Sequence, residues 1–178
     1  MTAFSPTTKV RIRPMQTSDL EQVRDIDRLS FSMPWPESAY RYELNENPRS
    51  LLWVAENIEE NGEKQVVGSI VVWLILDEAH IAAIAVHPYH RGRGIGRKLL
   101  VTALRASIQK GSHSATLEVR ANNLIAQNLY RHFRFKVTGN RPRYYRDNNE
   151  DALIMTVNNL GDAYLEWLES EAGNDPLL

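Results

Sequence analysis

Polar and apolar residues alternate along KVRIRPM, residues 9–15, and this period of two predicts an opening strand. The period then changes. TSDLEQVRDIDRLSF carries Leu20, Val23 and Ile26 near helical spacing, with Ser18 and Glu21 at capping-box distance, and predicts a helix. SMPWPESAYRYELNENP is a proline-bounded turn leading into a second short helix that ends near Asn47-Pro48. SLLWVAENIEENGEKQVVGSIVVWLIL reads as two strands joined at the hairpin signal Asn61-Gly62. AHIAAIAVH is apolar throughout, as expected of a strand covered on both faces.

From Gly94 to Gln109 the apolar positions Ile95, Leu99, Leu100, Ala103, Leu104 and Ile108 define an amphipathic helix of about four turns. ATLEVRA is a strand, and alternation puts Thr116, Glu118 and Arg120 on one of its faces. NNLIAQNLYRHFRF predicts a helix with an inward stripe of Ile125, Leu129 and Phe133. FKVTGNRPRYYRDNNEDALIMTV makes two strands around a polar hairpin, and GDAYLEWLESEAGNDPLL a short helix and a fraying tail. The order β-α-α-β-β-β-α-β-α-β-β predicts an α/β (α+β mixed) fold, a mixed sheet with helices on its faces. The expected organisation is one domain over residues 1–160 followed by a tail over 161–178.

Composition narrows the possibilities. With 178 residues the chain can bury one core of its own. Its 43% hydrophobic and 24% charged residues are those of an ordinary globular protein. A formal charge of −1 lacks the excess of cations that a broad nucleic-acid footprint needs, so no direct nucleic-acid partner is expected. The absence of cysteine rules out disulfides, thiolate metal sites and a cysteine nucleophile. The N-terminus has no signal-peptide core and the longest apolar run, IVVWLIL, is too short to cross a bilayer, so a cytoplasmic protein with no membrane partner is expected. His87 and His90 have H-x-x-H spacing, but a strand end and loop give them no helical face, and no metal site is predicted.

The candidate chemistry lies in AVHPYHRGRGIGRKLL, residues 85–100. A strand ends, glycines follow, and a helix begins; exposed first-turn amides and the helix dipole attract anions, and glycines let backbone approach a phosphate. P-loop spacing fails because Leu99 follows Lys98, and the dinucleotide fingerprint fails because the glycines fall at 92, 94 and 96. What does match is R-x-x-G-x-G, Arg91 to Gly96. Taken alone, the loop could equally be a tight turn on a solvated basic face.

With LEVRANNLIAQNLYRHFRF and YYRDNNEDALIMTV downstream, the chain resembles the GCN5-related N-acetyltransferase (GNAT) superfamily, and within it the ribosomal-protein-alanine N-acetyltransferase branch. The resemblance runs over residues 10 to 158 and implies a mostly antiparallel sheet of six to seven strands, with helices on both faces, that splays after the strand at Ile84 to admit acetyl-CoA. It implies that Ile84, Ala85 and Val86 line the pantetheine arm. By the same resemblance Arg91, Gly92, Arg93, Gly94, Ile95, Gly96 and Arg97 hold the pyrophosphate, and Asn123 contacts the cofactor arm. Glu118 takes the position of the family's proton acceptor and Tyr130 that of its proton donor. Trp35, Tyr144 and Tyr145 fall in regions where family members grip a peptide N-terminus; as residues alone, each is equally a core or surface aromatic. One position departs from the family pattern: Arg134 stands where glycine is usual, and a side chain forced into a left-handed cap there costs on the order of 1 kcal/mol.

Moving an acetyl group from a thioester to an amine requires the amine to lose a proton, and a thiolate leaves more easily with a proton donor beside it. An α-amine, with a pKa near 8, is about one-tenth neutral at pH 7, whereas a lysine is neutral to less than about one part in a thousand, so a weak carboxylate base suits an N-terminus. With the resemblance, the expected activity is acetylation of a protein N-terminus, alanine-initiated and belonging to a small-subunit ribosomal protein. A small-molecule amine as acceptor, or a non-catalytic acyl-CoA-binding module, remain the alternatives.

Overall fold

The computed structural model describes residues 9–174. Seven strands and five helices follow in chain order: β1 (Lys9–Pro14), α1 (Leu20–Ser30), α2 (Glu37–Asn45), β2 (Ser50–Ile58), β3 (Lys64–Ile75), β4 (Glu78–Val86), α3 (Ile95–Gln109), β5 (Ser114–Arg120), α4 (Leu124–His132), β6 (Lys136–Tyr145), β7 (Glu150–Asn158) and α5 (Asp162–Asn174). The strands form one sheet in the order β1-β2-β3-β4-β5-β7-β6. Neighbours are antiparallel except β4 and β5, which run parallel. This is the mixed sheet that the order of elements predicts, mostly antiparallel as the family resemblance implies.

Two apolar layers sandwich the sheet. Val23, Ile26 and Tyr40 of α1 and α2 cover Val54, Val66 and Val71 on one face. Leu99, Leu100 and Leu104 of α3, Tyr130 of α4 and Leu168 of α5 share the other face with Ile70, Leu117 and Met155. Gly68 lets α3 sit close: a Cβ there would come within 3.0 Å of the Ala85 carbonyl and 3.2 Å of Leu99 Cδ1.

Several local expectations need correction. The entry to α1 is not capped by Ser18 and Glu21: the Gln16 N–H donates to Asp19 Oδ2 (2.7 Å), one turn earlier. Of the inward stripe expected on α4, Leu129 and Phe133 do face the core, but Ile125 is 87% exposed, and Gln127 and Tyr130 are buried instead. Gln127 can be buried because its Nε2 donates to the carbonyls of Arg120 and Ala121 (3.1 and 2.8 Å). Arg134 does take the left-handed conformation, with φ of 65°. The Arg134 N–H bonds Arg131 O and the Phe135 N–H bonds Tyr130 O, the paired closure of a Schellman motif. The short helix expected near the end is present as α5, and it is docked: Tyr164 and Leu168 are buried, and the Tyr164 hydroxyl donates to Phe133 O (2.8 Å).

Candidate active site

The site begins where the sheet comes apart. β4 and β5 pair only through Glu78–His80 against Ser114–Thr116, and beyond Thr116 the two strands diverge. The separation therefore starts at His80, several residues earlier than Ile84. On its other edge β4 stays bonded to β3, with a bulge near Ala82. The His87 N–H donates to Val67 O across β3, so alternation turns the polar groups of Ala85 to β3 and those of Ile84 and Val86 into the gap. A strand edge with free amides can take a ligand with carbonyl and amide groups of its own.

At the mouth of the gap, Gly92 and Gly94 both have φ of 75°, a conformation strained for any side chain, and Gly94 opens α3. A Cβ at Gly92 would meet nothing within 4 Å, so glycine is there for backbone shape. The first-turn amides of a fifteen-residue helix, with Arg93 and Arg97 alongside, fit a diphosphate. Arg91 is used differently: its Nε donates to Val86 O (2.9 Å) and its Nη2 to Ser30 Oγ (3.2 Å), tying the loop to β4 and α1. The Asn123 side-chain oxygen caps α4 by accepting from the Ala126 N–H (3.1 Å), which leaves its NH2 group as the part able to meet a ligand.

Glu118 lies on the α1/α2 face of β5, only 14% exposed. Its two oxygens have different partners: Oε2 is 3.2 Å from His80 Nε2, and Oε1 is 3.0 Å from an Arg141 guanidinium nitrogen. Tyr130 comes from α4 on the other side of the sheet and packs against Phe135. Burial, and then the nearby Tyr145, hold its phenol well above the usual range, so it keeps its proton at any physiological pH. Burial also pushes the Tyr145 phenol up to about 12, with Arg120 pulling the other way and Glu118 among the charges that raise it. Tyr145 thus lies within electrostatic reach of Glu118 on one side, and Tyr130 within reach of Tyr145 on the other.

Arg120 organises the rim. Its guanidinium donates to Ser32 Oγ in the α1–α2 connection (2.9 Å), to Asp147 (2.9 Å) and to Glu150 (3.0 Å), and sits 3.9 Å over the Tyr145 ring. The Ser32 hydroxyl, then Arg120, hold the Asp147 carboxyl below its usual range. Both loops expected to grip an acceptor are therefore fastened to one side chain. Tyr144 is exposed beside Arg141. Trp35 stacks on Trp73 (5.8 Å between centroids) and tilts against Tyr40 (5.3 Å), a packing role that shapes the wall. His87 and His90 meet edge to face at 5.7 Å, and no group of three or more possible metal ligands occurs among the described residues.

His80, Arg120 and Arg141 were not singled out from the sequence. Arg120 and Glu118 share a strand face, which was a usable signal. His80 and Arg141 reach Glu118 from strands paired through tertiary structure, and no spacing announces that.

Residues 20–135 match the model of the acetyltransferase (GNAT) family. A Bacillus subtilis (strain 168) protein, provisionally named a ribosomal protein bS18-alanine N-acetyltransferase, is 38% identical over 150 residues, 84% of this chain and 96% of its own. The crystal structure of the ribosomal-protein-S18-alanine N-acetyltransferase from Escherichia coli is 30% identical, with a TM-score of 0.73 over 85% of this chain and 94% of that one. Arabidopsis thaliana NAA60 in complex with acetyl-CoA, 18% identical, shares the fold with a TM-score of 0.75 over 84% and 99% of the two chains.

Proposed function

Since this chain belongs to the acetyltransferase (GNAT) family, we propose that it transfers the acetyl group of acetyl-CoA to a protein N-terminal α-amine, with an alanine-initiated small-subunit ribosomal protein as its acceptor. The observation that carries the reading is the open edge of β4, which leads from the glycine loop to a carboxylate held at the same gap. The names of the relatives support the acceptor class.

Acetyl-CoA supplies an activated acetyl thioester. The amides of Ile84 and Val86 hold its arm, the loop from Gly92 to Gly96 with Arg93 and Arg97 holds its diphosphate, and the Asn123 NH2 group meets the arm from α4. Glu118 takes the proton of the acceptor amine as the nitrogen–carbon bond forms and the carbon–sulfur bond breaks. Tyr130 presents its O–H to the departing sulfur. A free thiol has a pKa near 8.5 and this phenol lies well above 10, so full proton transfer runs uphill. Tyr130 therefore acts chiefly by hydrogen-bonding the thiolate as charge develops, and the sulfur completes its protonation from water. Tyr144 and the rim built on Arg120 contact the acceptor peptide; Trp35 supports that wall from behind.

The test is incubation of the protein with acetyl-CoA and a short alanine-initiated peptide, read by mass spectrometry. One acetyl group on the N-terminal amine is expected. An unmodified peptide, with spermidine or an amino sugar acetylated instead, overturns the acceptor assignment.

A further inference from the structure

His80 is the last residue of β4 to pair with β5, opposite Thr116, so its backbone is fixed at the point where the strands part. Its ring lies parallel to Trp73, 5.6 Å away at 15°, and Trp73 stacks in turn on Trp35. The ring is thus held on one side by a row of aromatics and points Nε2 at Glu118 Oε2, 3.2 Å away. Nε2 faces this oxygen at ion-pair distance, and a hydrogen carried there is the group of the ring able to donate to it. The other oxygen of Glu118 has a looser partner. Arg141 belongs to the edge strand β6, its side chain is 53% exposed, and it reaches Oε1 through a long, flexible stem. An ion pair with one partner this exposed is weak and yields readily to a competing cation.

We propose that His80 is the positioning residue of the base. It pins one oxygen of Glu118 permanently, so that the oxygen covered by Arg141 in the free protein is the one presented to the acceptor. The acceptor arrives as an ammonium and takes the place of the guanidinium on Oε1. It gives one proton to that oxygen, which passes it on to water; the neutral amine then bonds to the acetyl carbon and yields its second proton to the same oxygen as the sulfur departs. His80 neither gains nor loses a proton in the step; its donated hydrogen bond keeps the carboxylate from turning after Arg141 or after the acceptor. The inference rests on Glu118 being the base.

Two substitutions at His80 separate the donor from the ring. His80→Phe keeps the stack on Trp73 and removes the N–H; His80→Gln gives up the ring and keeps an amide N–H. Misplacing a catalytic group by a fraction of its reach costs on the order of tenfold or more in rate. With an alanine-initiated peptide, kcat of His80→Phe should fall by about tenfold while the KM for acetyl-CoA stays within about twofold, and His80→Gln should recover most of the loss. Should His80→Phe not fold, His80→Met carries the same comparison. Wild-type kcat in the variant without a donor overturns the proposal, and so does a Gln variant as slow as the Phe one. Glu118→Gln runs beside them: turnover retained there sinks the assignment of the base itself. Turnover lost there with His80→Phe at full speed sinks the positioning role alone.

Discussion

The guanidinium of Arg134 lies 3.9 Å above the ring of Trp167, so a residue at the left-handed end of α4 is fastened to the middle of α5. The strain of a side chain at φ 65°, on the order of 1 kcal/mol, is offset by a cation–π contact of about 0.5–1 kcal/mol and by extra helix packing. Arg134→Gly removes the strain and the contact together, and chemical denaturation should find its stability within about 1 kcal/mol of wild type. Arg134→Ala keeps the strain and loses the contact. It should be the less stable of the two.

Gly68 sits under α3 with no room for a methyl group. Gly68→Ala should lower stability by about 1–3 kcal/mol, the usual range for overpacking, because the carbonyl of Ala85 is backbone and cannot swing aside. The same push should weaken acetyl-CoA binding, since α3 and β4 are the elements it would separate; isothermal titration reads that second effect.

The clamp at Arg120 predicts a split between the two substrates. Arg120→Lys keeps the charge but loses the fork that reaches Ser32, Asp147 and Glu150 at once. Steady-state kinetics should show a rise of about tenfold in KM for the peptide and little change for acetyl-CoA, because the two loops it ties lie on the acceptor side.

Asp27 is buried beneath the α1–α2 connection, where the Tyr40 hydroxyl donates to it (2.8 Å), and burial pushes its carboxyl up to about 6. A raised carboxyl binds its proton more tightly folded than unfolded. Its contribution to stability is therefore full below about pH 4, falls as pH rises towards 6, and stays lost above. In Asp27→Asn that slope disappears. The stability of the variant relative to wild type should rise between pH 4 and pH 7 by on the order of 2 kcal/mol, measured by urea denaturation at each pH.

What could be read beforehand was local. The turn into α3 is legible in Gly92 and Gly94 because a positive φ leaves a mark on residue type. The face of Glu118 is legible because a strand alternates. α4 misled for the complementary reason: Ile125 looks inward by period, yet the carbonyls of Arg120 and Ala121 supply partners for Gln127, and the helix turns that side to the core. The partners of Glu118 could not be read, since His80 and Arg141 meet it only after seven strands have settled their order. Arg134 was legible as a difficulty but not as a solution, because Trp167 belongs to a helix whose docking no period announces.

The parting of β4 from β5 has one more consequence. Bare strand edges are the surfaces on which sheets of separate molecules recruit one another into aggregates. This chain turns two such edges towards each other, inside a cleft, and so hides its most adhesive backbone from its own neighbours. A molecule slender enough to slip between them acts as a missing strand.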